Sequence, residues 1–184
     1  MAGGFLLAAH PVGAPFEERD PNQTPAETHA RLAKAKEQLT KNPHSAFWHD
    51  QVAVLYSWLG DYASAEAEYR AAVRDNPNSI IDYYGLASII ERKGKRADRE
   101  WEDLYRKALS LDPNNPTGLL GYALFLERKG RFKEAAENFF MCLHALDRVK
   151  GIAYIDPNGA AYSFNVEAYR DEAAAGLKRV EKTH

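Results

Sequence analysis

The string Ile90-Glu91-Arg92-Lys93-Gly94-Lys95-Arg96 returns 36 residues later as Leu126-Glu127-Arg128-Lys129-Gly130-Arg131-Phe132, and each copy interrupts a helical apolar pattern at its glycine. A supersecondary unit of that length cannot bury its apolar face alone. Repeated in register, it must stack on its neighbours, which restricts the chain to an array of helix pairs.

Sliding the sequence against itself aligns three units. Gly60, Gly94 and Gly130 share one column, spaced 34 and 36 residues apart, and Pro43, Pro77 and Pro113 share another. In each unit a first helix carries large residues at helical spacing: His49, Val52 and Tyr56, then Tyr83, Leu86 and Ile90, then Leu119, Tyr122 and Leu126. Steps of three and four place each set on one stripe. Ala53, Ala87 and Ala123 lie beside the stripes, where a small side chain lets a partner helix approach closely. The glycines follow these helices, where a left-handed residue is wanted.

Second helices are expected over about 62–75, 97–111 and 132–147, with Tyr69, Tyr105 and Phe139 three residues ahead of Ala72, Ala108 and Cys142. Asp75-Asn76-Pro77 and Leu111-Asp112-Pro113 end the first two, because proline cannot continue the hydrogen-bond ladder. Asn115-Pro116 reads as a cap and first-turn proline. Thr24-Pro25-Ala26-Glu27 is a capping-box pattern opening a flanking helix with Leu32, Ala35 and Leu39. After Asp147 an irregular stretch is expected, with Asp156-Pro157-Asn158-Gly159 as a turn. A last helix to about Val180 would align Tyr162, Val166, Tyr169, Ala173, Leu177 and Val180, and its polar face would stop the array from growing.

The boundaries expected are a loosely structured leader over 1–23, a flanking helix over 24–43, three units over about 46–79, 80–115 and 116–147 within 44–147, and a loop with a capping helix over 148–184. Pro11, Pro15 and Pro21 discourage helix in the leader. Its Phe5-Leu6-Leu7-Ala8-Ala9 run is short for a signal core and has no basic residue before it, so a cytoplasmic setting is expected. The alternative is an exported or periplasmic protein with a worn or truncated signal. No apolar run reaches the roughly 20 residues needed to span a bilayer.

Charge and motifs narrow the function. A net charge of −2 argues against a general phosphate-backbone binder. The single cysteine, Cys142, permits neither an intrachain disulfide nor a cysteine-rich zinc site, and it falls in a small-residue column that suits a buried thiol. None of the six histidines forms a metal-ligand spacing, and His49 reads as a packed core residue. No phosphate loop, serine elbow or CxxC motif occurs, so no catalytic, cofactor or metal residues are expected. The cations Arg92, Lys93, Lys95, Arg96, Arg128, Lys129 and Arg131 collect at two neighbouring turns. They read either as solvated charges suited to helix C-termini or as a basic edge for an acidic segment.

The combined pattern resembles the tetratricopeptide repeat. Its aromatic, small-residue, glycine and proline positions are met by Val52-Ala53, Tyr56, Gly60-Asp61-Tyr62, Ala65, Tyr69, Ala72 and Pro77. The third unit meets them with Tyr122-Ala123, Gly130, Phe132, Ala135 and Phe139. The second unit departs by two extra residues after Gly94 and by Trp101 near the place of Ala65 and Ala135, which predicts a lengthened turn or helix. In the third, Asp147 replaces the proline, so that helix is expected to continue to about Val149.

The resemblance implies an all-α, right-handed α-solenoid of antiparallel helix pairs whose first helices line a concave groove. Carried onto this chain, the groove columns hold Phe47, Asp50, Val54 and Trp58, then Ile81, Tyr84, Ser88 and Arg92, then Thr117, Leu120, Leu124 and Arg128. Exposed apolar patches with Trp, Tyr and Arg are typical of binding surfaces. The five columns used by carboxylate-clamp members of the family hold Asp50, Val54, Gly85, Thr117 and Gly121, so the clamp is missing. The expectation is a non-catalytic adaptor or scaffold for a protein segment, apolar with an acidic flank, and without nucleic acid or cofactor. The alternative is a structural subunit that self-associates into a homo-oligomer or packs into a larger assembly with its groove filled.

Overall fold

The computed structural model describes residues 24–93, 98–149, 153–155, 161–163 and 166–182. Helix α1 (Pro25–Lys41) precedes three antiparallel pairs: α2 (Ala46–Trp58) with α3 (Tyr62–Asp75), α4 (Ile80–Arg92) with α5 (Asp98–Leu111), and α6 (Pro116–Arg128) with α7 (Phe132–Leu146). A hairpin of β1 (Ala153–Ile155) and β2 (Ala161–Ser163) follows, then α8 (Val166–Glu181).

The ends of these helices follow from their terminal residues. Thr24 Oγ1 accepts the Glu27 N–H at 3.3 Å while the Thr24 N–H donates to the Glu27 carboxylate at 2.7 Å, a complete capping box. Ser45, Asp61, Ser79 and Asn115 cap α2, α3, α4 and α6 through their side-chain oxygens. Gly60 and Gly130 adopt φ of +79° and +71°. There the following N–H groups of Asp61 and Arg131 reach back to the Tyr56 and Leu126 carbonyls at 3.0 and 2.9 Å, satisfying two helix ends.

Packing is continuous along the array. Ala53, Ala87 and Ala123 are fully buried, as are Ala65, Ala72, Ala108, Ala135 and Cys142 of the second helices. Leu32, Ala35, Val52 and Leu55 join α1 to the first pair, and one larger core runs from Ile80 in α4 to Val180 in α8.

A close contact repeats between units. A Cβ on Gly85 would lie 2.4 Å from the ring of Tyr69, one on Gly121 2.9 Å from Tyr105, and one on Gly176 2.3 Å from Phe139. Each pair of α2–α7 thus presents an aromatic ring to a glycine on the next first helix. Gly176 meets Phe139 as Gly85 and Gly121 meet Tyr69 and Tyr105, so α8 packs on the third pair as a following first helix packs on the pair before it. Two residues on, where Ala87 and Ala123 receive a second helix, α8 carries exposed Lys178.

Three expectations are corrected. The chain between α7 and α8 is not wholly irregular, since Ala153, Tyr154 and Ile155 pair antiparallel with Ser163, Tyr162 and Ala161. Tyr162 therefore lies on β2 and not on the last helical stripe. Helix α7 stops at Leu146: the Arg148 and Val149 N–H groups bond to carbonyls three residues back, a tighter turn than the α-helix. The leader, Gly94 with the residues inserted after it, and the 156–159 turn lie outside the described residues.

Candidate functional site

The columns expected to line a groove lie on the first helices α2, α4 and α6, and the structure divides them sharply. Phe47 is 61% exposed at the start of α2, its ring set edge-on to Trp48 at 4.9 Å. Asp50, Trp58, Ile81, Arg92 and Leu124 are half-buried, and Arg128 is exposed. Val54, Ser88 and Thr117 are buried, as are Tyr84 and Leu120, which retain 2% and 1% exposure. The ring of Tyr84 packs over Gly118, where a Cβ would meet its hydroxyl at 1.5 Å, and lies 6.0 Å from Tyr105. Tyr84 and Leu120 are therefore packing residues between units, and Phe47, Asp50, Trp58, Ile81, Arg92, Leu124 and Arg128 remain as a partly exposed rim.

Several partners of this rim were not evident from repeat columns. The Arg31 guanidinium of α1 sits 5.2 Å from the Trp58 ring centre. Arg92 lies 5.5 Å from the Tyr62 ring and donates to its hydroxyl at 3.1 Å. Arg128 stands over Trp101 at 5.6 Å and pairs with Glu91 at 2.5 Å. Trp101 itself faces Phe125 at 4.6 Å, so the bulky residue in a small-residue column is accommodated by turning toward the next helix.

The same contacts settle much of the basic edge. Lys93 pairs with Glu66, Arg128 with Glu91, and Arg131 with Glu102 at 2.8 Å and Glu134 at 2.5 Å. Glu127 of the second echo receives Arg179 of α8 at 2.7 Å. The two echoes thus join each other, Glu91 of one to Arg128 of the next. Their charges act chiefly between units. Lys95 and Arg96 lie outside the described residues.

Beneath Asp50 lies an acidic contact. The Asp50 carboxyl lies beside that of Asp82 on α4. Asp82 is buried, and burial pushes its carboxyl up to about 6 against the opposing influence of hydrogen bonds with Ser79 and Asp50 and of His49. The Nδ1 of His49 lies 2.6 Å from the Glu68 carboxylate, and its Nε2 lies 3.1 Å from the Pro43 carbonyl. His49 is a satisfied core residue.

Nucleophile chemistry has no foothold at Cys142. Burial pushes its thiol up to about 12, and the S–H donates to the Pro116 carbonyl at 3.3 Å. Among the described residues no group of His, Cys, Asp and Glu has metal-binding geometry, and no helix is long and apolar enough to cross a membrane.

Stacked antiparallel pairs with a small-residue column define an α-solenoid, a class of extended binding scaffolds. A tetratricopeptide repeat profile matches residues 104–137, from α5 through α6 into α7. The fold is similar to that of the Yersinia enterocolitica type III secretion chaperone SycD in complex with a peptide of the translocator YopD. The two share 15% identity over 72% of this chain and 88% of that one, with a TM-score of 0.58. A T3SS complex from Aeromonas hydrophila matches at 16% identity over 87% of this chain and 97% of that one, with a TM-score of 0.62. A MamA RS-1 ArsTM double mutant matches at 18% identity over 65% and 66%, with a TM-score of 0.58. No curated protein sequence matches significantly. At these identities the likeness is one of fold, and a fold of this kind hosts many functions.

Proposed function

We propose that the chain is a non-catalytic adaptor or scaffold that receives a partner segment along the rim of its first helices. The observation carrying this reading is Phe47, a large aromatic left 61% exposed at the head of an inward column. Trp58, Ile81 and Leu124 continue the apolar line, and Asp50, Arg92 and Arg128 flank it. Exposed aromatics with half-buried neighbours are the usual make-up of a binding hot spot. That SycD is seen with a peptide supports a peptide as the class of ligand for this fold.

The cations beside the rim are held by Glu66, Glu91, Glu102 and aromatic rings, so the partner segment is read chiefly by apolar contact. An acidic flank on it is secondary. The setting proposed is the cytoplasm, which suits the single, buried thiol.

The test is affinity capture from native extract with wild type beside a Phe47→Ala, Trp58→Ala variant whose fold is checked by circular dichroism. Proteins held by wild type and lost by the folded variant are expected. Identical capture by both would sink the proposal.

A further inference from the structure

We propose that the solvent face of α7 is a self-docking surface, on which two copies pack antiparallel across Phe140 and Met141 with Glu137 of each facing His144 of the other. This surface is separate from the first-helix rim and does not depend on it.

The starting observation is a column that changes character. The residue after each buried ring is Arg70 in the first unit, Arg106 in the second and Phe140 in the third. Arg70 is held by Glu66 and Glu100, at 2.8 and 2.6 Å, and Arg106 by Glu102 at 2.7 Å. In the third unit the residue one turn earlier is Ala136, so this covering ion pair is replaced by an apolar side chain. Phe140 and the adjacent Met141 are left 55% and 42% exposed. The His144 ring stands edge-on to Phe140 at 4.5 Å, which fixes the orientation of both.

Glu137, Phe140, Met141 and His144 fall at i, i+3, i+4 and i+7, and all four are exposed on one stripe. The order acid, apolar, apolar, base is complementary to itself when reversed. Turning a second α7 about the midpoint between Phe140 and Met141 sets Phe140 over the other copy's Met141 and the two carboxylates against the two imidazoles. A two-fold contact requires this self-complementarity, and a foreign partner does not. Lys133 and Arg148 would meet like charges at the ends, but helices crossing at about 50° diverge within roughly two turns and leave those side chains in water. Two apolar side chains per copy bury far less than the roughly 1,200 Å² of a standard interface, so the association is weak and concentration-dependent.

Sedimentation equilibrium from low-micromolar to near-millimolar protein tests this. Wild type should move from monomer toward dimer mass. Phe140→Arg, which restores the residue type of the other two units and is expected to fold, should stay monomeric throughout. Glu137→Lys should weaken the dimer at least several-fold, and Glu137→Lys with His144→Glu should recover it. A wild type that stays monomeric overturns the proposal, as does a dimer unchanged by Phe140→Arg. Failure of the charge exchange to recover association overturns the antiparallel pairing.

Discussion

The Tyr69 ring lies so close over Gly85 that a single added carbon on that glycine would stand 2.4 Å from it. Tyr69 comes from the second helix of one unit and Gly85 from the first helix of the next, so this contact sets how closely the units stack. It recurs at Gly121 and Gly176, and a further contact, between first helices, places Tyr84 of α4 over Gly118 of α6.

Alanine at these glycines should therefore destabilise, although alanine favours helix over glycine by about 1 kcal/mol. Overpacking a core costs roughly 1–3 kcal/mol, and the rings of Tyr69 and Phe139 are fully buried with little room to turn. Urea unfolding should show Gly85→Ala and Gly176→Ala losing about 1–2 kcal/mol net. Gly121→Ala should lose less, since its nearest ring atom is 2.9 Å away. Equal or improved stability in all three would contradict close stacking through these pairs.

Asp82 gives a pH dependence of definite sign. Its carboxyl is raised to about 6 by burial, so between the unfolded value near 3.8 and about 6 the folded chain holds a proton that the unfolded chain has released. Stability from this group is full below that window and is lost as pH rises through it, by about 2–3 kcal/mol at most. Asp82→Asn cannot ionise. Unfolding curves at a series of pH values should show wild type losing stability relative to the variant as pH rises from about 4 to 6.

Two glutamate–arginine contacts that look alike should behave differently. Burial tends to raise the carboxyl of Glu102, but hydrogen bonds from Arg131, Arg106 and Tyr122 overcome it and bring it down to about 2. Burial dominates at Glu91 and holds its carboxyl above the ordinary value despite Arg128 and Arg92. At neutral pH Glu102→Gln should cost about 1–2 kcal/mol, and that advantage of wild type should vanish as pH falls from about 4.5 toward 2. Glu91→Gln should be neutral within about 0.5 kcal/mol. Thermal melts of both variants at neutral and acid pH check the contrast.

Phe47 and Tyr84 should separate binding from folding. Tyr84→Ala empties a buried site and should cost on the order of 3–5 kcal/mol of stability. Phe47→Ala, at an exposed ring, should change stability by no more than about 0.5 kcal/mol. Chemical denaturation of the two variants measures this directly. A severe loss in the Phe47 variant would mean that its ring belongs to the core.

Much of this architecture was legible because its determinants are local. The φ of +79° at Gly60 and +71° at Gly130, the Thr24 capping box and the buried alanine column each follow from a residue type at a fixed offset. The burial of the expected groove columns was not legible in the same way. Periodicity places Tyr84 and Asp50 in one column, but burial depends on the neighbour, which is Gly118 in one case and Asp82 in the other. The available signal was a glycine inside a helix 16 residues after a large aromatic, as at Tyr69 and Gly85 or Tyr105 and Gly121. The β1–β2 hairpin escaped because three-residue strands are too short to show a period of two, and Tyr162 also fits a helical step to Val166.

The most direct measurement of the groove account uses peptides selected from a random displayed library against the whole protein. Titrate them calorimetrically into wild type and into the folded Phe47→Ala, Trp58→Ala variant. The account predicts apolar-rich peptides that bind the variant about tenfold or more weaker, a loss on the order of 1.4 kcal/mol. Selected peptides that bind both proteins equally would contradict it.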